Sequence, residues 1–500
     1  MNKLKKIIPI LLILHLIIFV ITNPILVENG DISKVLSSMT NIALNNEILS
    51  NILSSMLNTF IFAYLGLGYG VILASIFTYF GVKYRKFKIG KVFTLFFNSI
   101  HELIIVMILS IIWGLNSFVA IIAIALSFSG VISKVFTSNI DNIEDDNFIN
   151  YKNKGYSFAS NFLFNLFPKS FSINVDYISY RFECALRSTV VLSYVGIVGI
   201  GFYINLALSD SNYNLVFTYV YALILFMIIV SFIISKLRNI INKNIFKSSI
   251  IYLISIIIIS VIYIILNYNE FLNLFSNAYF EILNSSIIRV VTFKSSIYNQ
   301  EFMNEILKYT IQTIRMGLLS TAILMIFVSV YLYILLIQEK YQSRLIKYIS
   351  QFINIILRST PELVTLSILI FILKPNIFSG ALAIALHNYG IVAKLIYNRF
   401  LDNQEKMRIA YNKNYSTLTI LIFILYPSLK KYLLSTYIYR YELAIKNSVI
   451  IGLLGAGGLG YLFKLKLSSF NYDAVIFICL VYIILFAINE FIYIRFKKIS

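Results

Sequence analysis

The chain has 500 residues, of which 59% are hydrophobic and only 13% charged, with a net charge of +20. Soluble globules average roughly 25% charged residues and cannot hide this much Ile, Leu and Phe. The composition therefore excludes a soluble enzyme, a secreted disulfide scaffold and a nucleic-acid binder, and makes lipid the solvent. The basic excess then reflects the bias of Lys and Arg toward cytoplasmic loops. Two cysteines, Cys184 and Cys479, support neither a disulfide framework nor a metal site.

A membrane-crossing helix needs about 20 mostly apolar residues, and about twelve such segments can be read along the chain. They lie near 6–22, 57–80, 98–114, 118–135, 172–195, 212–235, 247–267, 312–337, 355–373, 377–396, 431–453 and 472–493. The first resembles a signal peptide, but Thr22-Asn23-Pro24-Ile25 offers no small-residue cleavage site, so it is expected to stay as an anchor. Lys3, Lys5 and Lys6 precede it, Lys83, Arg85, Lys86, Lys88 and Lys91 follow the second span, and Arg495, Lys497 and Lys498 close the chain. With both termini cytoplasmic, all of these fall on one side, giving a multi-pass protein of the plasma or inner membrane.

The chain repeats itself. Residues 123–134 read Ala-Ile-Ala-Leu-Ser-Phe-Ser-Gly-Val-Ile-Ser-Lys, and residues 383–394 read Ala-Ile-Ala-Leu-His-Asn-Tyr-Gly-Ile-Val-Ala-Lys. Tyr180-Arg181-Phe182-Glu183 returns as Tyr439-Arg440-Tyr441-Glu442, and Gly196, Gly199 and Gly201 return as Gly455, Gly458 and Gly460. Six spans per copy keep both copies the same way up, a parallel repeat about an axis along the membrane normal. The expected division is residues 1–240 and 241–500. A proton-coupled secondary transporter of the six-plus-six type is one candidate. Its long cytoplasmic loop would lie between the halves, whereas here a long polar stretch follows the fourth span of each half, near 136–170 and 397–430.

The second stretch runs Arg408-Ile-Ala-Tyr-Asn-Lys-Asn414 and on to Tyr426-Pro427; the first runs through Gly155 to Phe167-Pro168. In both, a Gly or Asn able to adopt positive φ precedes the proline by the same interval. This resembles the loop of ABC importer permeases that seats in a groove of the ATPase subunit, although both glutamates are missing and only Ala410 survives of the alanines. Arg358-Ser-Thr-Pro361-Glu362-Leu363, the 380–395 segment and Gly452-Leu-Leu-Gly455-Ala-Gly457-Gly458-Leu-Gly460 are similar to phosphonate-type ABC permeases. The first copy has drifted, with His101 where Pro361 stands.

The resemblance implies an all-α integral membrane permease of the type I importer kind, two units fused in tandem. It would work by alternating access on a small anionic phosphorus-containing solute: a phosphonate, phosphite or phosphate ester. Its partners would be two copies of an ABC ATPase and an extracellular binding protein of the lipoprotein kind, with no nucleic acid. No Gly-x4-Gly-Lys-Ser/Thr occurs, so ATP and Mg belong to the ATPase, and this chain is expected to be no enzyme and to bind no cofactor or metal. Gly155, Pro168, Ala410, Asn414 and Pro427 mark the coupling loops. Gly196, Gly199, Gly201, Gly455, Gly457, Gly458 and Gly460 form an outer turn.

Hydropathy alone begins the fifth and eleventh spans near Leu186 and Ile445. The family pattern begins them soon after Pro168 and Pro427, which puts Arg181, Glu183 and Arg187, with Arg440, Glu442 and Lys446, at membrane depth. Charge there is normally paired or pathway-lining; the alternative is an interfacial set of i,i+4 pairs. His387 and Asn388, opposite Ser127 and Phe128, line the path or pack between helices. Glu102 and Glu362 open the third and ninth spans, where Glu362 has Arg358 four residues before it. Arg315 is expected to snorkel, and His15 to be structural.

Overall fold

The computed structural model describes residues 32–84, 101–141, 157–243, 245–275, 278–292 and 297–497. Among these residues every regular element is helical. The expected first span, most of the basic loop after the second, Gly155 and His15 lie outside the described residues. By packing, the chain divides into Asn41–Ser286 and a second unit made of Ile287–Ser500 with Met1–Thr40.

In the Asn41–Ser286 unit, α1 (Asn46–Lys83) begins where the Asn45 side chain accepts from Ile48 N–H. It packs along α3 (Ser117–Asp141), with α2 (Glu102–Trp113) and α4 (Phe167–Ser193) beside α3. Helices α5 (Ile200–Ser209) and α6 (Tyr213–Lys243) follow. The next helix, α7 (Ile245–Leu266), lies on α1: Tyr64 and Ser255 hydroxyls meet at 2.5 Å, and the Tyr263 ring sits edge-on to Phe62 and Phe118. Glu270, just beyond it, accepts from the Ser117 N–H and hydroxyl and so caps α3. Residues 245–275 therefore pack with this unit, although the repeat divides the sequence at 240.

The second unit is built from α8 (Gln300–Tyr341), α9 (Arg344–Ser359), α10 (Glu362–Ile370), α11 (Ile377–Leu401), α12 (Gln404–Asn412), α13 (Tyr426–Ile451), α14 (Gly458–Ser468) and α15 (Tyr472–Lys497). A reciprocal cap between Asn376 and Ser379 starts α11. Its core runs from Leu324 to Leu336 on α8, across Val392, Ala393, Ile396 and Phe400 on α11, to Leu429 and Leu433 on α13.

Among the described residues seven helices are long and apolar enough to cross a membrane, and α9 with α10 makes an eighth only as a pair bent by 99°. The span expected near 355–373 is thus broken. Proline has no N–H to continue a helix and disfavours helical geometry in the residue before it; Thr360 accordingly sits extended, at φ −80° and ψ 124°. The span expected near 98–114 is the 12-residue α2, which closes at Gly114 with φ +70°. The span expected near 172–195 is α4, whose charges keep it outside the seven.

The repeat is visible in backbone detail. Ser157 and Ser416 cap short helical turns by accepting from Ser160 N–H and Thr419 N–H. Each turn is followed by one wide π turn, Phe162–Leu166 and Leu421–Leu425, and then by Pro168 or Pro427 in the first turn of the long helix. The proline supplies no N–H to the carbonyl four residues back. The i+5 bonds of the π turn, Phe167 N–H to Phe162 O and Tyr426 N–H to Leu421 O, carry the chain past that gap. These helices then run through Arg181 and Arg440 without interruption, so they begin near the prolines and not at Leu186 or Ile445.

Candidate functional site

The polar stretch of the second copy folds into α12, docked on the end of α8. Glu339 accepts from Arg408 Nε at 2.6 Å and from Gln404 Nε2 at 2.7 Å, and the Tyr411 hydroxyl donates to Leu336 O at 3.0 Å. Met407 and Ala410 are buried in the core, while Glu405, Lys406, Ile409, Asn412 and Lys413 face outward. Burial pushes the Tyr411 phenol above its ordinary pKa, in keeping with its role as a donor. Asn414 ends the helix in the left-handed region at φ +57°, with Tyr415 N–H returning to Ala410 O. Of the coupling-loop residues expected from sequence, Ala410, Asn414 and Pro427 fall within this one element and its exit. Pro168 occupies the same place in the first copy.

A second group of polar residues lies inside each unit. Glu362, at the start of α10, faces His387 of α11: Oε2 is 3.5 Å from Nε2, and both side chains are buried. The other ring nitrogen, Nδ1, lies 2.8 Å from Thr360 O. A carbonyl can only accept, so Nδ1 is the donor there. The first copy makes the corresponding link with hydroxyls. Glu102 Oε2 accepts from Ser127, which stands at the His387 position, at 3.3 Å, and Oε1 accepts from Ser188 at 2.5 Å. His101 replaces Pro361 and caps α2 by accepting from Leu103 N–H. In both copies a carboxylate, buried in the second and half-buried in the first, thus ties the short helix to the long helix after it. The spacing of Glu362 from Arg358 gave no hint of the His387 contact.

The charged residues of α13 and α4 differ between copies. Glu442 and Lys446 form the expected i,i+4 pair at 3.3 Å, both buried. In α4, Arg187 Nε instead donates to the Glu183 carbonyl at 3.2 Å. Arg440 is only 5% exposed; Nη1 reaches Asn388 Oδ1 at 3.5 Å, the guanidinium lies by the Tyr439 ring, and Nε has no partner. Arg181 is half-buried, donates from Nε to the Tyr177 hydroxyl at 2.7 Å and stacks over that ring. Phe128 stands where the second copy has Asn388, so the first copy offers Arg181 no amide at that position.

The glycine segments join these long helices to α5 and α14. A Cβ on Gly201 or on Gly460 would lie 2.1 Å from Val190 O or Val449 O, so the turn closes only without a side chain. Gly196, Gly455, Gly457 and Gly458 have positive φ, and Gly199 is extended. The free N–H groups at the start of α14 are taken by α8: Gly458 donates to Gln312 and Leu459 to Thr313. In the first copy Ile200 N–H donates to Thr59 of α1. These capping partners, 141 to 146 residues away in sequence, could not be found from motif spacing.

Residues 66–247, and again residues 335–498, match the family model described as binding-protein-dependent transport system inner membrane component. The chain is 22% identical over 394 residues to the phosphate-import permease protein PhnE of Mycolicibacterium smegmatis, covering 75% of this chain and 71% of that protein. It is 26% identical over 172 residues to the phosphite transport system permease protein PtxC of Stutzerimonas stutzeri, covering 34% of this chain and 62% of that one. No solved structure matches the chain.

Proposed function

The chain belongs to the family of binding-protein-dependent transport system inner membrane components, matched twice along its length, and on that premise we propose that it is the permease of an ATP-driven importer for a small phosphorus oxyanion. The names of its relatives, a phosphate-import and a phosphite permease, support the solute class. One observation carries the reading to a residue: the buried guanidinium of Arg440, with Asn388 and a tyrosine ring as its company and Nε unpartnered. A cation inside a membrane protein costs at least ~2.5–3.5 kcal/mol on insertion scales and is normally paired. The buried carboxylates of α13 and α10, Glu442 and Glu362, face Lys446 and His387. An oxyanion would supply the missing charge, and the planar guanidinium offers it two parallel donors.

In this account an extracellular, lipid-anchored binding protein delivers the anion. Two ATPase subunits, which hold the ATP and Mg, act on the helix α12 and on the corresponding stretch of the first copy's sequence. The permease switches between outward and inward access, and both of its termini face the cytoplasm. The glycine turns between α4 and α5 and between α13 and α14 then lie on the outer side. Docking of α12 on Glu339 and Leu336 supports a rigid transmission of ATPase movement to α8.

Uptake of labelled phosphite or phosphate by the reconstituted complex tests the arginine. Arg440→Gln should lose uptake while ATPase association persists, and Arg440→Lys should keep part of it, since a point charge remains without the fork. Near-normal uptake by Arg440→Gln removes this residue from the path.

A further inference from the structure

Helix α9 is amphipathic the wrong way round for a soluble protein. Leu345, Tyr348, Ile349, Phe352, Ile353 and Ile355 make one stripe at helical spacing, and all are exposed, Leu345 by 70% and Phe352 by 61%. The polar face is turned inward: Asn354 is buried, and Ser350, Gln351 and Arg358 are half-covered against the body of the unit, where α9 packs on α11. Water would select the opposite orientation. The bend of 99° between α9 and α10 means that when the apolar α10 runs along the bilayer normal, α9 lies in the plane of the membrane. The helix opens with Arg344 and Lys347, just after Lys340 and Tyr341, a cluster of basic and aromatic side chains suited to the headgroup level.

We propose that α9 is an in-plane helix that binds the anionic leaflet of the bilayer and sets the position of the Glu362–His387 pair. Its apolar stripe occupies the acyl boundary, and Arg344 and Lys347 meet lipid phosphates. The mechanical link is short. Within the last turn of α9 the backbone of Arg358 presses on α11 at Gly390, where a Cβ would lie 2.5 Å from Arg358 N. Two residues later the Thr360 carbonyl accepts from His387, and two residues after that Glu362 faces the same ring. A shift of α9 in depth therefore moves both partners of His387 together. The proposal rests on membrane insertion of the family and is independent of the assignment of Arg440 to the solute.

The chain has one tryptophan, Trp113, which makes the test direct. In a Trp113→Phe background, full-length protein carrying Phe352→Trp is reconstituted into vesicles containing brominated phosphatidylcholines, with Ile349→Trp as a second probe on the same stripe. Emission should shift to the blue and fall several-fold with bromines near the headgroup end of the chains, and less with bromines near the bilayer centre. Quenching by aqueous iodide and not by bromolipid would overturn the proposal. So would protection from both quenchers, which would mean that protein covers the stripe. The charge is read separately. Transport-coupled ATPase turnover of the complex should rise several-fold when phosphatidylglycerol is added to phosphatidylcholine nanodiscs. The double variant Arg344→Gln with Lys347→Gln should lose that rise while keeping the turnover seen in neutral lipid. An undiminished rise in the double variant would refute the anionic-leaflet contact.

Discussion

Asn414 offers a test of the coupling element in which the sign of the effect is set by backbone geometry. The residue ends α12 at φ +57°, inside the left-handed region, and the chain beyond it is held by Tyr415 N–H to Ala410 O at 3.2 Å. Left-handed geometry costs an ordinary L-residue roughly 1–2 kcal/mol, with Asn and Gly the usual exceptions. Asn414→Ile should therefore destabilise the seated form of α12 by about 1–2 kcal/mol, a factor of roughly 5–30 in the ratio of seated to unseated loops. Asn414→Gly relieves the same constraint and should stay close to wild type. Because the residue is exposed on a loop, neither change should disturb membrane insertion. Hydrogen exchange across residues 404–420, together with solute-stimulated ATPase turnover of the complex, reads both effects. Equal exchange and equal turnover in the Ile and Gly variants would refute the reasoning, whatever their absolute values.

Three further outcomes follow from the geometry. Glu339→Gln keeps the shape of the α12 seat but removes the charge from two hydrogen bonds. Since Arg408 is well exposed, the loss should be about 1 kcal/mol, seen as faster exchange in α12 with the rest of the second unit unchanged. Gly460→Ala and Gly201→Ala each push a methyl into a carbonyl oxygen, an overpacking of about 1–3 kcal/mol or more, and both should lower the thermal stability of the detergent-solubilised protein. Native mass measurement of the assembled complex should find one copy of this chain with two ATPase subunits; two copies per ATPase pair would contradict the tandem reading.

Much of this could be read from the sequence because the two copies check each other. The recurrence of Tyr-Arg-Phe-Glu as Tyr-Arg-Tyr-Glu aligned α4 with α13, and the prolines placed their starts, which the continuous helices through Arg181 and Arg440 bear out. The Gly or Asn position anticipated the left-handed turn at Asn414. Contacts that join distant segments were beyond the sequence. His387 meets Glu362 across 25 residues, and Thr313 caps α14 across 146, with no local pattern to announce either. The break at Thr360 and Pro361 was marked by its proline, yet the apolar residues on both sides read as one span. Hydropathy averages over a bend, and α9 carries its apolar stripe outward, so its composition imitates a crossing helix. The inequality of the copies was half-legible: Phe128 for Asn388 was visible, but that Arg181 folds onto Tyr177 while Arg440 is buried with an idle donor required the packing.

The most direct test of the central claim is uptake of labelled phosphite or phosphate into proteoliposomes containing the complete complex, with the binding protein outside and ATP inside or absent, and no pH gradient. The account predicts accumulation that requires both ATP and the binding protein and that is unchanged when a pH gradient is added. Accumulation driven by a pH gradient without ATP would contradict it and would mark the chain as a proton-coupled carrier.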